Sequence, residues 1–85
     1  MSEAPLDLHV IARAPFALYY DGAASAVSAA NRIGPFDILP GHADFLTMLT
    51  AGTITIETNN EPVTIDAKNG LVTVRDNEVL LFVNI

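Results

Sequence analysis

Cysteine and tryptophan are absent from this 85-residue chain, and positive charge is scarce. Without cysteine there can be no disulfide and no thiolate metal site, a composition that suits a reducing compartment. Ten Asp and Glu residues outnumber four Lys and Arg residues, which gives a formal net charge of −6 at pH 7. A charge of this sign argues against nucleic acid and anionic lipid as partners.

Long apolar runs and targeting features are missing as well. No apolar run approaches the roughly 20 residues that a membrane-spanning helix needs. Residues 1–5 lack the basic and apolar regions of a signal peptide. We therefore expect a soluble intracellular domain without direct membrane insertion. The length predicts one domain, residues 1–85, with a small core.

Residue patterns that support catalysis are not found either. His9 and His42 are the only histidines, so a zinc site would need carboxylates brought together from distant segments. The serines lie in no Gly-x-Ser-x-Gly elbow, and the glycines form no phosphate-binding loop. We predict that the chain is not an enzyme by itself and has no catalytic residue, cofactor or metal. Since His9 alternates with Leu8 and Val10, we expect it on the polar face of a strand.

Short alternating segments separated by turn residues make up most of the chain. Of its residues 51% are hydrophobic, and its Val, Ile and Thr residues favour strands. Turn signals occur at Asp21-Gly22, Pro40-Gly41, Asn69-Gly70 and Asp76-Asn77. Between such signals we predict strands at 6–10, 16–20, 23–30, 36–39, 53–58, 63–67, 71–75 and 78–84. The spacing predicts an all-β fold, an antiparallel β-sandwich or flattened barrel.

Three details of this prediction depend on single residues. The alanines of segment 23–30 would also support a helix, but the segment is short and lies between turn signals, which favours a strand. Gly41 and Gly70 are each predicted to occupy a turn position with positive φ. Phe36, Phe45 and Phe82 are predicted to lie in the core.

The most distinctive segment, residues 34–47, reads Gly-Pro-Phe-Asp-Ile-Leu-Pro-Gly-His-Ala-Asp-Phe-Leu-Thr. It resembles a Gly-x-(apolar)-x-(apolar)-(apolar)-Pro-Gly-His-Ala-x-(apolar)-(apolar)-Thr signature of the epsilon subunit of F-type rotary ATP synthases. Residues 14–22, 49–54 and 69–74 are similar to further segments of that family, in the same order. The resemblance extends over nearly the whole chain.

The resemblance implies a β-sandwich of about ten short strands at the foot of the central stalk. Such a non-catalytic rotor subunit links the gamma subunit to the c-ring of a proton-translocating ATP synthase, peripherally at the cytoplasmic face of the bacterial cell membrane. By the same resemblance, the gamma subunit is expected to contact His42, Ala43, Phe45, Leu46 and Thr47. The c-ring is expected to contact Asn31, Arg32, Gly34 and Pro35.

Several positions depart from the family pattern. Phe16 and Asp37 stand where the family has an acidic and a small residue, and Asp44 replaces a proline. Many members continue into a C-terminal helical hairpin, whereas this sequence ends at Ile85. We therefore expect neither ATP binding nor inhibition through such helices. The alternative function is a free-standing β-sandwich ligand-binding module, for which Tyr19 and Tyr20 would have to supply an aromatic pocket.

Overall fold

A computed structural model of the chain describes residues 6–85, so the predicted leader at 1–5 lies outside the described residues. Across 6–85 the chain forms nine strands and no helix. They are β1 (Leu8–Ala14), β2 (Ala17–Ala24), β3 (Ala26–Asn31), β4 (Gly34–Ile38), β5 (Phe45–Leu49), β6 (Gly52–Glu57), β7 (Val63–Ala67), β8 (Gly70–Arg75) and β9 (Glu78–Val83). Accordingly, this part of the chain has no helix suited to crossing a membrane.

The strands form two sheets that pack face to face, which confirms the predicted sandwich. One sheet has five strands in the order β2-β1-β9-β8-β5, and the other has four in the order β4-β3-β6-β7. All pairs are antiparallel except β1 with β9. The two sheets are not joined into a closed barrel, and the described residues form nine strands where about ten were expected.

Aliphatic side chains from both inner faces fill the space between the sheets. Val10, Ile38, Ile56, Val72 and Val79 are completely buried. Four of them come from strands in which buried residues alternate with exposed or half-buried ones, as period-two alternation requires. Ile38 ends β4, where half-buried residues alternate with exposed ones. Full burial of such a side chain contributes about 1.5–3 kcal/mol. No polar or charged side chain of residues 6–85 is buried in this core.

The predicted hairpin turn at Asp21-Gly22 is wrong. Both residues lie within β2, where Gly22 pairs with Val10 and Asp21 pairs with Ile11. The chain reverses earlier, between Ala14 and Ala17, and Phe16 at this turn is fully exposed. The long register between β1 and β2 supplies more backbone hydrogen bonds than a turn at Asp21-Gly22 would allow, and these outweigh the local turn preference.

The alanine-rich segment 23–30 is extended, as predicted, but it belongs to two sheets. Ala24 ends β2 and pairs with Leu8 in the five-stranded sheet, whereas Ala26 begins β3 and pairs with Glu57 in the four-stranded sheet. Between them the backbone N–H of Ser25 donates to the carbonyl of Glu57 at 2.9 Å. This segment therefore carries the chain from one layer of the sandwich to the other.

Gly41 and Gly70 serve different purposes. Gly41 has φ of +83°, which confirms the predicted turn conformation. Gly70 is not among the positive-φ residues of the described chain and begins β8, so that part of the prediction is wrong. A Cβ on Gly70 would lie 2.8 Å from the carbonyl oxygen of Phe82 on β9. Close approach of two strands, and not turn geometry, therefore requires glycine at position 70.

We expect Gly70→Val to destabilise the protein by about 1–3 kcal/mol, because the new side chain forces the backbones of β8 and β9 apart. Gly41→Val should also destabilise the protein by about 1–3 kcal/mol, because valine at this positive φ strains the backbone. Urea unfolding followed by circular dichroism measures both changes. Ala23→Val, at an exposed position of β2, is the control and should leave the midpoint nearly unchanged. A Gly70→Val midpoint equal to that of the control would contradict the close approach.

Candidate partner-binding surface

The loop between β4 and β5 holds the Pro-Gly-His-Ala residues in a defined conformation. The N–H of His42 donates to the carbonyl of Leu39 at 3.0 Å, which closes a turn around Gly41. The N–H of Gly41 donates to Oδ1 of Asn77 at 2.8 Å. Asn77 lies in the turn between β8 and β9 with φ of 63°. The loop is thus attached to a second turn from the other end of the sequence.

His42 is held from both sides of its ring. Its Nδ1 lies 2.7 Å from the carbonyl oxygen of Ala43, so this nitrogen carries the proton and donates it. Its ring centroid lies 5.0 Å from that of Phe45. Phe45 in turn meets Phe36 edge to face, with centroids 5.6 Å apart. Such aromatic contacts stabilise a defined geometry by about 0.5–1.5 kcal/mol per pair. His42 is therefore a positioned, half-buried side chain at the margin of the sandwich.

Strand β5 divides the residues predicted to contact the gamma subunit between two faces. Phe45 and Thr47 are half-buried and face the interior, with Phe45 packed against the core. Leu46 faces outward with 65% of its surface exposed, and Met48 lies on the same side with 61% exposed. Ala43 is exposed in the preceding loop. Of the five predicted residues, Leu46 is thus the large apolar one that is open to solvent.

The residues predicted to contact the c-ring lie in a tighter hairpin than expected. Gly34 and Pro35 belong to β4 and pair with Asn31 and Ala30, so only Arg32 and Ile33 form the turn. Oδ1 of Asn31 accepts the N–H groups of Ile33 at 2.9 Å and Gly34 at 3.3 Å. This asparagine turn makes the tip rigid. Arg32 is exposed, and Ile33 is 97% exposed.

The structure brings the two predicted sets together. The amide Nδ2 of Asn31 donates to Oγ1 of Thr47 at 3.3 Å, which ties the β3–β4 turn to β5. A shallow groove between the β3–β4 turn and β5 is lined by Asn31, Arg32, Ile33, Leu46, Thr47 and Met48. Two residues predicted to contact the c-ring, Asn31 and Arg32, therefore share a groove with Leu46 and Thr47 of the set predicted to contact the gamma subunit.

The outer face of the five-stranded sheet extends this surface, a feature that the sequence analysis missed. In register across β5, β8 and β9 lie Met48, Leu71 and Phe82. In the next row Leu46 of β5 pairs with Thr73 of β8, which pairs with Leu80 of β9. Leu80 in turn pairs with Ile11 of β1. We call the exposed or half-buried set the apolar face: Ile11, Leu46, Met48, Leu71, Leu80 and Phe82. Phe82 is 37% exposed on this face, so its predicted place in the core is wrong.

The other outer face of the sandwich has the opposite character. Asp37, Ser28, Thr55 and Thr64 follow one another in register across the four-stranded sheet. Ser28 donates to Asp37 at 2.7 Å, and in the next row Thr53 donates to Asp66 at 3.3 Å. We call the residues of these two rows the polar face: Ser28, Asp37, Thr53, Thr55, Thr64 and Asp66. Small hydroxyl and carboxylate groups suit contact with water, whereas the apolar face leaves large hydrocarbon side chains open.

The two tyrosines needed by the alternative ligand-binding module do not converge. Tyr20 packs against the core, and its hydroxyl donates to the carbonyl of Ala23. Tyr19 is its neighbour in β2 and faces the opposite side, where its hydroxyl lies 3.4 Å from Nδ2 of Asn84. Strand alternation thus separates the rings, and they do not line one pocket.

Comparison with known proteins agrees with the signature at residues 34–47. The chain is 32% identical over 79 residues to the chloroplastic ATP synthase epsilon chain of Pylaiella littoralis, a match that covers 93% of this chain and 60% of the relative. It is 30% identical over 69 residues to the ATP synthase epsilon chain of Trichlorobacter lovleyi, covering 81% of this chain and 50% of the relative. The chain therefore spans about half to three-fifths of these relatives.

Solved structures show the same fold. A chain of the Euglena gracilis mitochondrial ATP synthase, from a structure of OSCP, F1 and c-ring, superimposes with a TM-score of 0.84 at 15% identity. That match covers 96% of this chain and 53% of the other. The family model described as the beta-sandwich domain of the ATP synthase delta/epsilon chain matches residues 7–85. With this match over nearly the whole sequence, the chain belongs to the ATP synthase delta/epsilon chain family, as its β-sandwich domain.

Proposed function

We propose that this chain is a non-catalytic central-stalk subunit of a proton-translocating F-type ATP synthase, linking the gamma subunit to the c-ring in ATP synthesis. The observation that carries the proposal is the family match over residues 7–85. Relatives named as ATP synthase epsilon chains support it. A rotor subunit needs a rigid body with broad contact surfaces and no reactive centre of its own.

For the gamma subunit we propose the surface made by His42, Ala43, Phe45, Leu46 and Thr47, extended by the apolar face. Phe45 and Thr47 face inward, so their role is to hold His42 and β5 in place. Leu46 and the outward residues of β8 and β9 make the contact itself. The difference between the apolar and polar faces supports this choice, because a contiguous apolar patch on a soluble domain marks a protein interface.

For the c-ring we propose the β3–β4 hairpin with Asn31, Arg32, Gly34 and Pro35. The rigid asparagine turn suits a contact that must transmit torque, and Arg32 offers an exposed positive charge on a chain of net charge −6. The groove shared with Leu46 and Met48 places this tip next to the proposed gamma surface. One corner of the sandwich can thereby meet both partners.

The proposed location follows from the proposed assembly. The chain acts as a peripheral part of a membrane-bound complex, and we place it at the cytoplasmic face of a bacterial cell membrane. The relatives in Trichlorobacter lovleyi and, as a chloroplastic protein, in Pylaiella littoralis are named as ATP synthase epsilon chains, which supports a place in an ATP synthase complex. Fractionation of cells expressing a tagged chain would test it: the protein should sediment with membranes and leave them when the F1 part is stripped off.

The gamma surface can be tested by introducing charge. Leu46→Glu and Leu80→Glu should each weaken co-purification with the gamma subunit, with a loss in affinity of about 30-fold if the residue is a central contact. The reason is that a carboxylate on the apolar face would be desolvated without a partner. Thr64→Glu on the polar face is the matched control, since it adds the same charge to the opposite sheet.

Three outcomes would separate the parts of this proposal. Loss with both Leu46→Glu and Leu80→Glu supports the whole apolar face. Loss with Leu46→Glu alone limits the contact to β5. Unchanged binding by both folded variants, or an equal loss with Thr64→Glu, would contradict a gamma contact on this face.

The c-ring contact can be tested through charge and cross-linking. Arg32→Glu should lower assembly onto the ring modestly, by about 0–1 kcal/mol in binding free energy, and more at low salt than at high salt. Cysteines placed at positions 32 and 35 should cross-link to c subunits in the assembled enzyme. A cysteine at position 64 on the polar face is the control. Cross-links from positions 32 and 35 that reach only the gamma subunit would show that the hairpin faces elsewhere.

A further inference from the structure

His9 lies between two carboxylates on the outer side of the five-stranded sheet. Its Nε2 is 2.9 Å from Oδ1 of Asp21, and its Nδ1 is 3.0 and 3.1 Å from the two carboxylate oxygens of Glu78. The three residues come from three adjacent strands, because His9 is on β1, Asp21 on β2 and Glu78 on β9. They account for both ion pairs found among residues 6–85.

An imidazole that carries two protons matches this geometry on both sides. A neutral ring has one N–H and one lone pair, so it can donate to only one carboxylate. The other ring nitrogen would then direct its lone pair at a carboxylate oxygen about 3 Å away, which is repulsive. A doubly protonated ring donates on both sides and neutralises one of the two negative charges. The arrangement is therefore satisfied only when His9 is charged.

The hydrogen bond to Asp21 raises the pKa of His9 above its ordinary value of 6.5, and the hydrogen bond to Glu78 raises it further, with a partial opposing effect of burial. In register His9 faces Glu78 on β9 and Ala23 on β2, and Arg75 on β8 faces Glu78 from the other side. Other charged residues on the packed elements and their flanking turns are Asp7, Arg13 and Asp76.

Strand β2 is the element that this cluster can affect most. It forms one edge of its sheet and pairs with β1 alone. Its side chains are exposed or half-buried up to Ala23, and only Ala24 is fully buried. The register with β1 is also interrupted by an irregularity between Ala12 and Arg13. An edge strand with so little buried surface belongs to the parts of a fold that open locally at low cost.

We propose that His9, Asp21 and Glu78 form a proton-operated clip, which strengthens the attachment of edge strand β2 to β1 and β9 while the imidazole is charged and weakens it when the imidazole is neutral. The clip is a property of the sheet and does not depend on the proposed partners. It couples the pH of the surrounding solution to the attachment of one edge of the sandwich.

The direction of the pH effect follows from the raised pKa. The unfolded chain holds the His9 proton less tightly than the folded chain, so the stabilising contribution is fully present below pH 6.5. It is lost as pH rises through the folded-state pKa of His9. The clip should thus hold more firmly at pH 6 than at pH 8.

The experiment is a pH titration of the full chain followed by NMR. Resonances of the imidazole nitrogens should show both sites protonated at pH 6 and a pKa for His9 above 6.5. The pair of substitutions Asp21→Asn and Glu78→Gln should move that pKa back toward 6.5. Hydrogen exchange then measures opening: between pH 6 and pH 8, protection of β2 amides should fall by roughly two- to fivefold after correction for intrinsic rates.

Controls separate the clip from general effects of pH. Amides of β6, in the other sheet, should show no such fall. His9→Gln should abolish the pH dependence in β2, whereas His42→Gln should keep it. If His9→Gln does not fold, the carboxylate variants and the titration of the unmodified chain still decide the matter. A His9 pKa at or below 6.5, or the same pH dependence of β2 protection in His9→Gln, would overturn the proposal.

Discussion

Burial of two inner sheet faces against each other is the constraint on which the rest of this structure depends. The described chain has no buried charge and no disulfide, so aliphatic contact between the layers supplies most of the stability. Each strand must therefore turn its apolar side inward, and a shift of register by one residue would reverse that side. The same constraint explains Gly70, where β8 and β9 approach so closely that a side chain would strike the carbonyl of Phe82.

Side-chain amides of asparagine hold several turns of the sandwich in place through hydrogen bonds. Asn31 closes the β3–β4 turn and reaches Thr47, and Asn77 holds the loop at Gly41. Near the end of the chain Oδ1 of Asn84 accepts the N–H of Lys68 at 2.8 Å, and Oδ1 of Asn69 accepts the N–H of Ile85 at 2.9 Å. Asparagine suits these sites because its short amide can replace a missing backbone partner and tolerates left-handed conformations. The β3–β4 turn and the loop at Gly41, which bear proposed contacts, are thereby held by side-chain hydrogen bonds.

The two outer faces of the sandwich are free of the packing constraint, and their difference is informative for that reason. The four-stranded sheet shows water a row of Ser, Thr and Asp, while the five-stranded sheet shows Leu, Ile, Met and Phe. Stability of the isolated domain does not require large apolar groups outside. Their presence on the outer face of one sheet only is what a domain needs when that face is covered in a larger assembly. The cluster around His9 lies on this same sheet and connects its edge strand to the solution pH.

The sequence by itself determined the fold class, most strand positions and the family. Alternation in segments such as 53–58 and 63–67 reports burial on one face directly, and the order of residues in 34–47 is specific enough to indicate the family without coordinates. Other features depended on pairing between distant segments. Asp21-Gly22 has the composition of a turn, yet pairing with β1 kept it in a strand, and segment 23–30 was divided between sheets by its contact with Glu57. The apolar face joins side chains of β1, β5, β8 and β9, and the His9 cluster joins residues up to 69 positions apart. Local patterns describe each strand separately, so only the tertiary structure, which sets strand order and register, could bring these residues onto one surface.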